Sequence, residues 1–166
     1  MDPENQPCTH VRGKPIRALV VDDNFDIAHL MADILGKVTD VDVVAIALGG
    51  EPGLELATSC QVDLVLTDME MPGVNGLRLA SLLRERFPGI CIILTTAHST
   101  DWREPALAAG ADSFIPKPDL VNRLADEIGR LRKEGLLGTR TRDRGGDRTF
   151  RSYLGGRPGT PPHPRR

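Results

Sequence analysis

Along the middle of the chain, short apolar runs alternate with longer stretches in which apolar residues return at helical spacing. The runs cover residues 16–21, 41–47, 62–67, 90–95 and 113–115, and their starts lie 25, 21, 28 and 23 residues apart. Each interval has room for one strand, one helix and two loops, the βα rhythm of a parallel sheet. Residues 16–21 and 90–94 are almost wholly apolar with no in/out alternation, as expected of strands covered by helices on both faces.

Between the runs, Ile27, Leu30, Met31, Ile34, Leu35 and Val38 repeat at the spacing of one helical face, and Leu79, Leu82, Leu83 and Phe87 do so again. Pro52, Pro72 and Pro88 sit at the joints. Pro105 would remove a backbone donor from a helix interior, so it predicts a short fourth helix starting near Glu104, with Trp102 in the loop before it. Pro118-Asp119 opens a last helix with Val121, Leu124, Ile128 and Leu131 on its buried face, ending near Gly135.

These patterns divide the chain into a leader (1–15) containing three prolines, a folded body (16–134) and a tail (135–166). The tail holds seven Gly and four Pro in 32 positions, too little apolar surface to offset its conformational entropy, and is expected to be disordered. Charge divides at the same place. Residues 1–134 carry 13 Lys+Arg against 21 Asp+Glu, whereas the tail carries eight Arg against Asp143 and Asp147, so a total of −2 conceals −8 and +6.

At 166 residues the length suits one domain with an appendage and argues against a two-domain enzyme. Cys8, Cys60 and Cys91 form an odd set without C-x-x-C spacing, which suggests neither a disulfide framework nor a zinc knuckle. No apolar run approaches the ~20 residues of a membrane span, and the N-terminus does not read as a signal peptide. A reduced cytoplasm is the expected setting.

In an open α/β sheet, ligands bind beyond the carboxyl ends of the strands. Those ends carry Asp22-Asp23, Asp68, Thr96-Ala97 and Lys117-Pro118, while the second strand ends in Leu48-Gly49-Gly50 with no charged group. In strand order 2-1-3-4-5 the second strand lies at an edge, and the four equipped ends become contiguous. Three carboxylates in one pocket are tolerable chiefly with a cation between them. Two or three carboxylates with room left for water and a phosphoryl group suit Mg²⁺ better than Ca²⁺.

Taken together, Asp22-Asp23, the segment Asp68-Met69-Glu70-Met71-Pro72-Gly73-Val74-Asn75-Gly76, the pair Thr96-Ala97 and Phe114-Ile115-Pro116-Lys117-Pro118 resemble the receiver domain of bacterial two-component response regulators. The resemblance spans about residues 16–134. It implies a flavodoxin-like fold, a five-stranded parallel sheet with helices on both faces. It also implies that Asp68 is the phosphoacceptor for a sensor histidine kinase or phosphotransfer protein. Asp23, Asp68 and the Glu70 backbone carbonyl would hold Mg²⁺, with Asp22 acting mostly through water. Lys117, Thr96 and the Ala97 backbone would hold phosphoryl oxygens. Phe114 would be the switch aromatic, turning inward to repack a partner-binding face built from the fourth helix, fifth strand and fifth helix. A phosphorylation-dependent homodimer stays open.

Glu70 and His98, two positions after Asp68 and Thr96, lie where the family tunes the lifetime of the phosphoryl group. Phe114 lacks the phenolic hydroxyl frequent at its position. Gly49-Gly50-x-x-Gly53 lacks a Walker lysine and reads as a turn rather than a phosphate cradle. Taken alone, Asp22-Asp23 would be a helix cap, Thr96 a strand-end hydroxyl, and Phe114 core packing.

Two other functions compete with the signalling, non-enzymatic reading. A haloacid dehalogenase-like phosphatase would use Asp68 as nucleophile with an acid/base two positions on, where Glu70 stands, but the chain lacks room for a cap module. Alternatively, the Arg-rich tail could bind nucleic acid nonspecifically, or the chain could be the remnant of a transcriptional regulator. The tail is too short for a folded DNA-binding domain.

Overall fold

The computed structural model describes residues 14–98 and 101–138. In chain order the elements are β1 (Ile16–Val21), α1 (Phe25–Gly36), β2 (Val41–Ala47), α2 (Gly50–Ser59), β3 (Leu64–Asp68), α3 (Gly76–Arg86), β4 (Cys91–Thr96), α4 (Arg103–Ala108), β5 (Ser113–Pro116), a 3₁₀ turn (Lys117–Asp119) and α5 (Leu120–Lys133). All strand pairs are parallel, in the order β2-β1-β3-β4-β5. The parallel sheet expected from the runs and the flavodoxin-like order implied by the resemblance are both found, with β2 and β5 at the edges.

Successive residues of the buried strands face opposite layers. Leu19, Val21, Val65, Ile92, Leu94 and Phe114 pack under α2, α3 and α4. Ala18, Val20, Leu64, Leu66, Ile93 and Ile115 pack under α1 and α5. Every residue of β3 and β4 is buried, whereas β2 is mostly half-buried, as its edge position requires.

The helix starts follow local chemistry. Asn24 caps α1 by accepting the Ile27 N–H at 3.0 Å, and Asn75 caps α3 by accepting the Arg78 N–H at 2.9 Å. The cap of α1 is thus Asn24 and not the acidic pair before it. Pro105 falls in the first turn of α4, where no intrahelical donor is lost. Two residues assigned to buried helical faces turn outward. Leu30 is 54% exposed and Val121 is 71% exposed. The core-facing arc of α1 is filled by Ala28, Met31 and Leu35, and that of α5 by Leu120, Leu124, Ile128 and Leu131, leaving both residues outside it.

The packed region also extends past the expected limit at 134. The Gly135 N–H donates to Arg132 O and the Leu136 N–H to Leu131 O, both at 3.0 Å, with Gly135 at φ 72°. This is a Schellman ending, and it returns Leu137 to the α1/α5 core, where it is 3% exposed. The leader as far as residue 13, and the tail from residue 139, lie outside the described residues, with Cys8 and the Arg-rich segment among them.

A charged knot ties β5 to α5. Glu127 accepts a hydrogen bond from the buried Ser113 hydroxyl, and the Arg130 guanidinium donates to the same carboxylate oxygen at 2.6 Å. Arg130 also bonds Glu134 at 2.6 Å. The Arg130 hydrogen bond, against some opposing desolvation, holds Glu127 below the ordinary carboxylate range, with Ser113 and the charge of Arg103 adding to the effect. A depressed folded value means that ionised Glu127 stabilises the fold above its unfolded pKa, and that this contribution is lost as pH falls through the folded value. The apparent melting temperature is therefore expected to fall between about pH 5 and pH 3, and Glu127→Gln should flatten that fall. Equal acid slopes for the two proteins would contradict it.

Candidate functional site

β1, β3 and β4 present their carboxyl ends side by side, which brings their terminal side chains into one pocket. Asp22 and Asp68 are buried, whereas Asp23 is exposed. Oxygen atoms of Asp22, Asp23 and Asp68 all lie within 4.8 Å of one another. From the end of β5, Lys117 reaches across to both buried carboxylates, its Nζ 2.7 Å from Asp22 Oδ2 and 3.0 Å from Asp68 Oδ1. Backbone donors fix the remaining oxygens. The Asn24 N–H donates to Asp22 Oδ1 at 2.9 Å and the Glu70 N–H to Asp68 Oδ2 at 3.2 Å.

The electrostatics show one cation shared by two buried acids. Burial pushes the Asp68 carboxyl above its ordinary range; Lys117 pulls it down, but the charge of Asp22 adds to the rise. Burial acts to lower Lys117, but hydrogen bonds to Asp22 and Asp68 outweigh it and the ammonium is held above its usual value. The lysine gains two partners, whereas Asp68 must share its one. A folded carboxyl raised in this way costs stability at neutral pH, and more positive charge would relieve the cost. The donor set, all hard oxygen with one edge open to solvent through Asp23, fits a hard divalent cation.

Thr96 ends β4, is buried, and accepts the His98 N–H on its hydroxyl oxygen at 3.2 Å, which leaves the hydroxyl proton free to be donated. Ala97 follows it at the exposed edge. Glu70 and His98 meet, with Nε2 2.9 Å from Oε2 and side chains 54% and 65% exposed, so they join the loops after β3 and β4 beside the pocket. Phe114 is directed into the core beneath α4 and is buried. It already occupies the inward position that the resemblance assigns to the switched state.

Sequence reasoning missed two supports. Gly76 packs so closely on the peptide of Asp68 that a Cβ there would lie 2.1 Å from the Asp68 carbonyl oxygen. In addition, the α2 N-terminus grips the β3–α3 loop through Gly50 and Glu51. The glycine pair at the start of α2 was a signal of close approach, but its partner was not visible along the chain.

Fold and pocket together define a class, a doubly wound parallel sheet with an acidic, lysine-bridged site at its carboxyl edge. The model of the response regulator receiver domain matches residues 18–128, and the chain belongs to that family. It is 41% identical over 111 residues to a response regulator receiver protein of Anaeromyxobacter sp. (strain Fw109-5), covering 66% of this chain and 46% of that protein. It is 33% identical over 123 residues to a protein-glutamate methylesterase/protein-glutamine glutaminase of Pyrococcus horikoshii, covering 70% of this chain and 33% of that protein. The chain thus spans between a third and a half of the length of these relatives. Among solved structures, the response regulator domain of Thermotoga maritima CheB superposes with a TM-score of 0.62 at 27% identity, covering 72% of this chain and 95% of that one.

The phosphatase reading finds no support. The family matched is the receiver, and the Glu70 carboxylate bonds His98 at the surface. Neither the nucleic-acid reading nor the regulator-remnant reading is supported, and the tail on which they turn lies outside the described residues. No helix among the described residues is long and apolar enough to cross a membrane.

Proposed function

We propose that this chain is a phosphorylation switch in which Asp68 accepts a phosphoryl group from a sensor histidine kinase or phosphotransfer protein, in the cytoplasm, with Mg²⁺ at the acidic pocket. The observation that carries the reading is Lys117 bridging Asp22 and Asp68 beneath a strand-end opening. Asp23, Asp68 and the Glu70 carbonyl would hold the metal, with Asp22 acting mostly through water, and the metal would offset negative charge at the transferred group. The chain's own residues do the rest. Asp68 Oδ attacks phosphorus in line, and the phosphorus–nitrogen bond of the donor breaks. Lys117, the Thr96 hydroxyl and the Ala97 backbone take up phosphoryl oxygens, so the work is mostly positioning.

The resulting acyl phosphate draws Lys117 and Thr96 toward itself, and this tension biases the loop after β4 and the packing around Phe114. The affected face is α4, β5 and α5, where a protein partner or a second copy of the chain would read the state. Catalysis is confined to the chain's own phosphorylation and dephosphorylation. Phosphotransfer profiling against histidine kinases of the same organism identifies the donor. One kinase should transfer far faster than the rest, and no transfer from any kinase would count against the reading.

The Glu70 and His98 pair stands beside the pocket and limits water access to the acyl phosphate. An exposed pair of this kind contributes at most about 1 kcal/mol, which as a barrier is about fivefold in rate. Glu70→Asn and His98→Ala are each expected to hasten acyl-phosphate decay by about two- to fivefold. Decay at the wild-type rate in both variants would remove these residues from lifetime control.

A further inference from the structure

The segment between Asp68 and Gly76 carries both the phosphoacceptor and Glu70, so its placement decides the geometry of the site. Its two ends are fixed within β3, α3 and the neighbouring strand. The Met69 N–H donates to Thr95 O at 2.9 Å, and the Gly76 N–H donates back to Met69 O at 3.0 Å. Its middle is held differently. Glu51, in the first turn of α2, accepts the Val74 N–H on Oε1 at 3.2 Å.

Two glycines show how close this grip is. Gly73 sits at φ 71°, and a Cβ there would lie 2.7 Å from Glu51 Oε1. Gly50 lies against the Val74 carbonyl, where a Cβ would come within 2.0 Å of the oxygen. A side chain at position 50 would force the helix turn and the loop backbone apart, whereas one at position 73 would displace the Glu51 carboxylate from the loop. On its other side the loop borders an open hollow lined by Glu70 and Asn75 as well as by Met69, Met71, Pro72 and Trp102.

We propose that Glu51 is a positioning residue for the phosphorylation site. It clamps the β3–α3 loop against α2 and thereby sets where the Glu70 carbonyl and the Asp68 carboxylate stand relative to Asp22 and Asp23. Gly49-Gly50 at the head of α2 lets the helix start close against Val74 and so brings this carboxylate onto the loop. Glu51 touches neither metal nor phosphoryl group and acts only through the loop. The inference rests on the phosphorylation reading for its consequence in rate, but its structural and metal-binding consequences do not need phosphorylation.

The test uses the full chain as wild type, Glu51→Ala and Glu51→Gln. Three quantities are measured: amide hydrogen exchange at Val74, Mg²⁺ affinity by calorimetry with the metal alone, and Asp68 phosphorylation by acetyl phosphate across Mg²⁺ concentrations. Removing a support one step behind a metal ligand typically weakens binding tenfold or more, and Glu51 acts one step further out. Glu51→Ala should therefore lose Val74 protection and weaken Mg²⁺ binding by about three- to tenfold. The half-saturating Mg²⁺ for phosphorylation should rise in proportion, with the maximal rate within about twofold of wild type. Glu51→Gln keeps an oxygen that accepts the same N–H and should restore all three values to within about twofold. Wild-type protection and metal affinity in Glu51→Ala would overturn the proposal, as would a Glu51→Gln protein impaired as much as Glu51→Ala. A wild-type chain that takes no phosphoryl group would instead refute the phosphorylation reading, and exchange and calorimetry would still decide the role of Glu51.

Discussion

Replacing Lys117 with methionine is expected to lower Asp68 phosphorylation by acetyl phosphate about 10²–10³-fold at saturating Mg²⁺, the usual loss when one preorganised charge at a reacting centre is removed. Its Nζ lies 2.7 Å from Asp22 Oδ2 and 3.0 Å from Asp68 Oδ1, so the ammonium stands where the proposed transfer would bring negative charge. Methionine keeps the length of the stem and removes the charge. Without it, two carboxylates that are 1% and 4% exposed face one another with no cation between them. Breaking a buried ion pair on one side typically costs about 3–5 kcal/mol, so the metal-free variant should also melt earlier. Mg²⁺ should recover much of that loss and bind at least as tightly as to wild type, because a competitor for the same oxygens has gone. A slow rate combined with unchanged or tighter metal binding is the signature of a phosphoryl-oxygen partner. A variant phosphorylated at the wild-type rate would exclude that role.

Gly76→Ala is the second large effect. A Cβ at this position would lie 2.1 Å from the Asp68 carbonyl oxygen and 2.7 Å from Met69 Cα. Both neighbours are backbone of the segment that carries Asp68, so the clash cannot be relieved by a side-chain rotation. The expected destabilisation is about 2–4 kcal/mol, seen as a lower denaturant midpoint with an unchanged slope. Gly129→Ala is the internal control. Gly129 lies within α5 with nothing within 4 Å of an added Cβ, and replacing a helical glycine by alanine at a compatible site stabilises by about 0.5–1 kcal/mol. Equal effects at positions 76 and 129 would mean that close packing on Asp68 is not what Gly76 provides.

Elements whose limits are set by local chemistry were legible along the chain. β1 and β2 fall where the apolar runs lie, and α4 begins where Pro105 allows. β3 and β4 start later than their apolar runs because Val62 and Ile90 are buried without joining the ladder. The Ile90 N–H, for example, bonds Phe87 O in a turn. Leu30 and Val121 were misplaced because apolar character marks what a helix can bury, while tertiary packing decides which arc it does bury.

The meeting of the acids and the lysine was legible because the parallel topology brings the carboxyl ends of β1, β3, β4 and β5 to one edge of the sheet. Asp22, Asp68 and Lys117 are 46 or more residues apart in pairs yet meet directly. The grip of Glu51 on Val74 was not legible. It depends on how α2 is set against the β3–α3 loop, and the residues themselves, a glutamate in a first helical turn and a valine in a loop, carry no signal of pairing. The packed ending at Leu137 was missed because Gly135 reads as a terminator, although its left-handed turn carries the chain back to the core.

The central claim is that Asp68 is the group that receives phosphate, and one measurement bears on it most directly. The full chain is incubated with acetyl phosphate and Mg²⁺, the acyl phosphate is trapped by borohydride reduction, and the modified residue is located by peptide mass spectrometry, with Asp68→Asn and a chelator as controls. Modification at Asp68 alone, absent from Asp68→Asn and abolished by the chelator, is the predicted result. Modification of another residue, or labelling of Asp68→Asn at the wild-type rate, would contradict it.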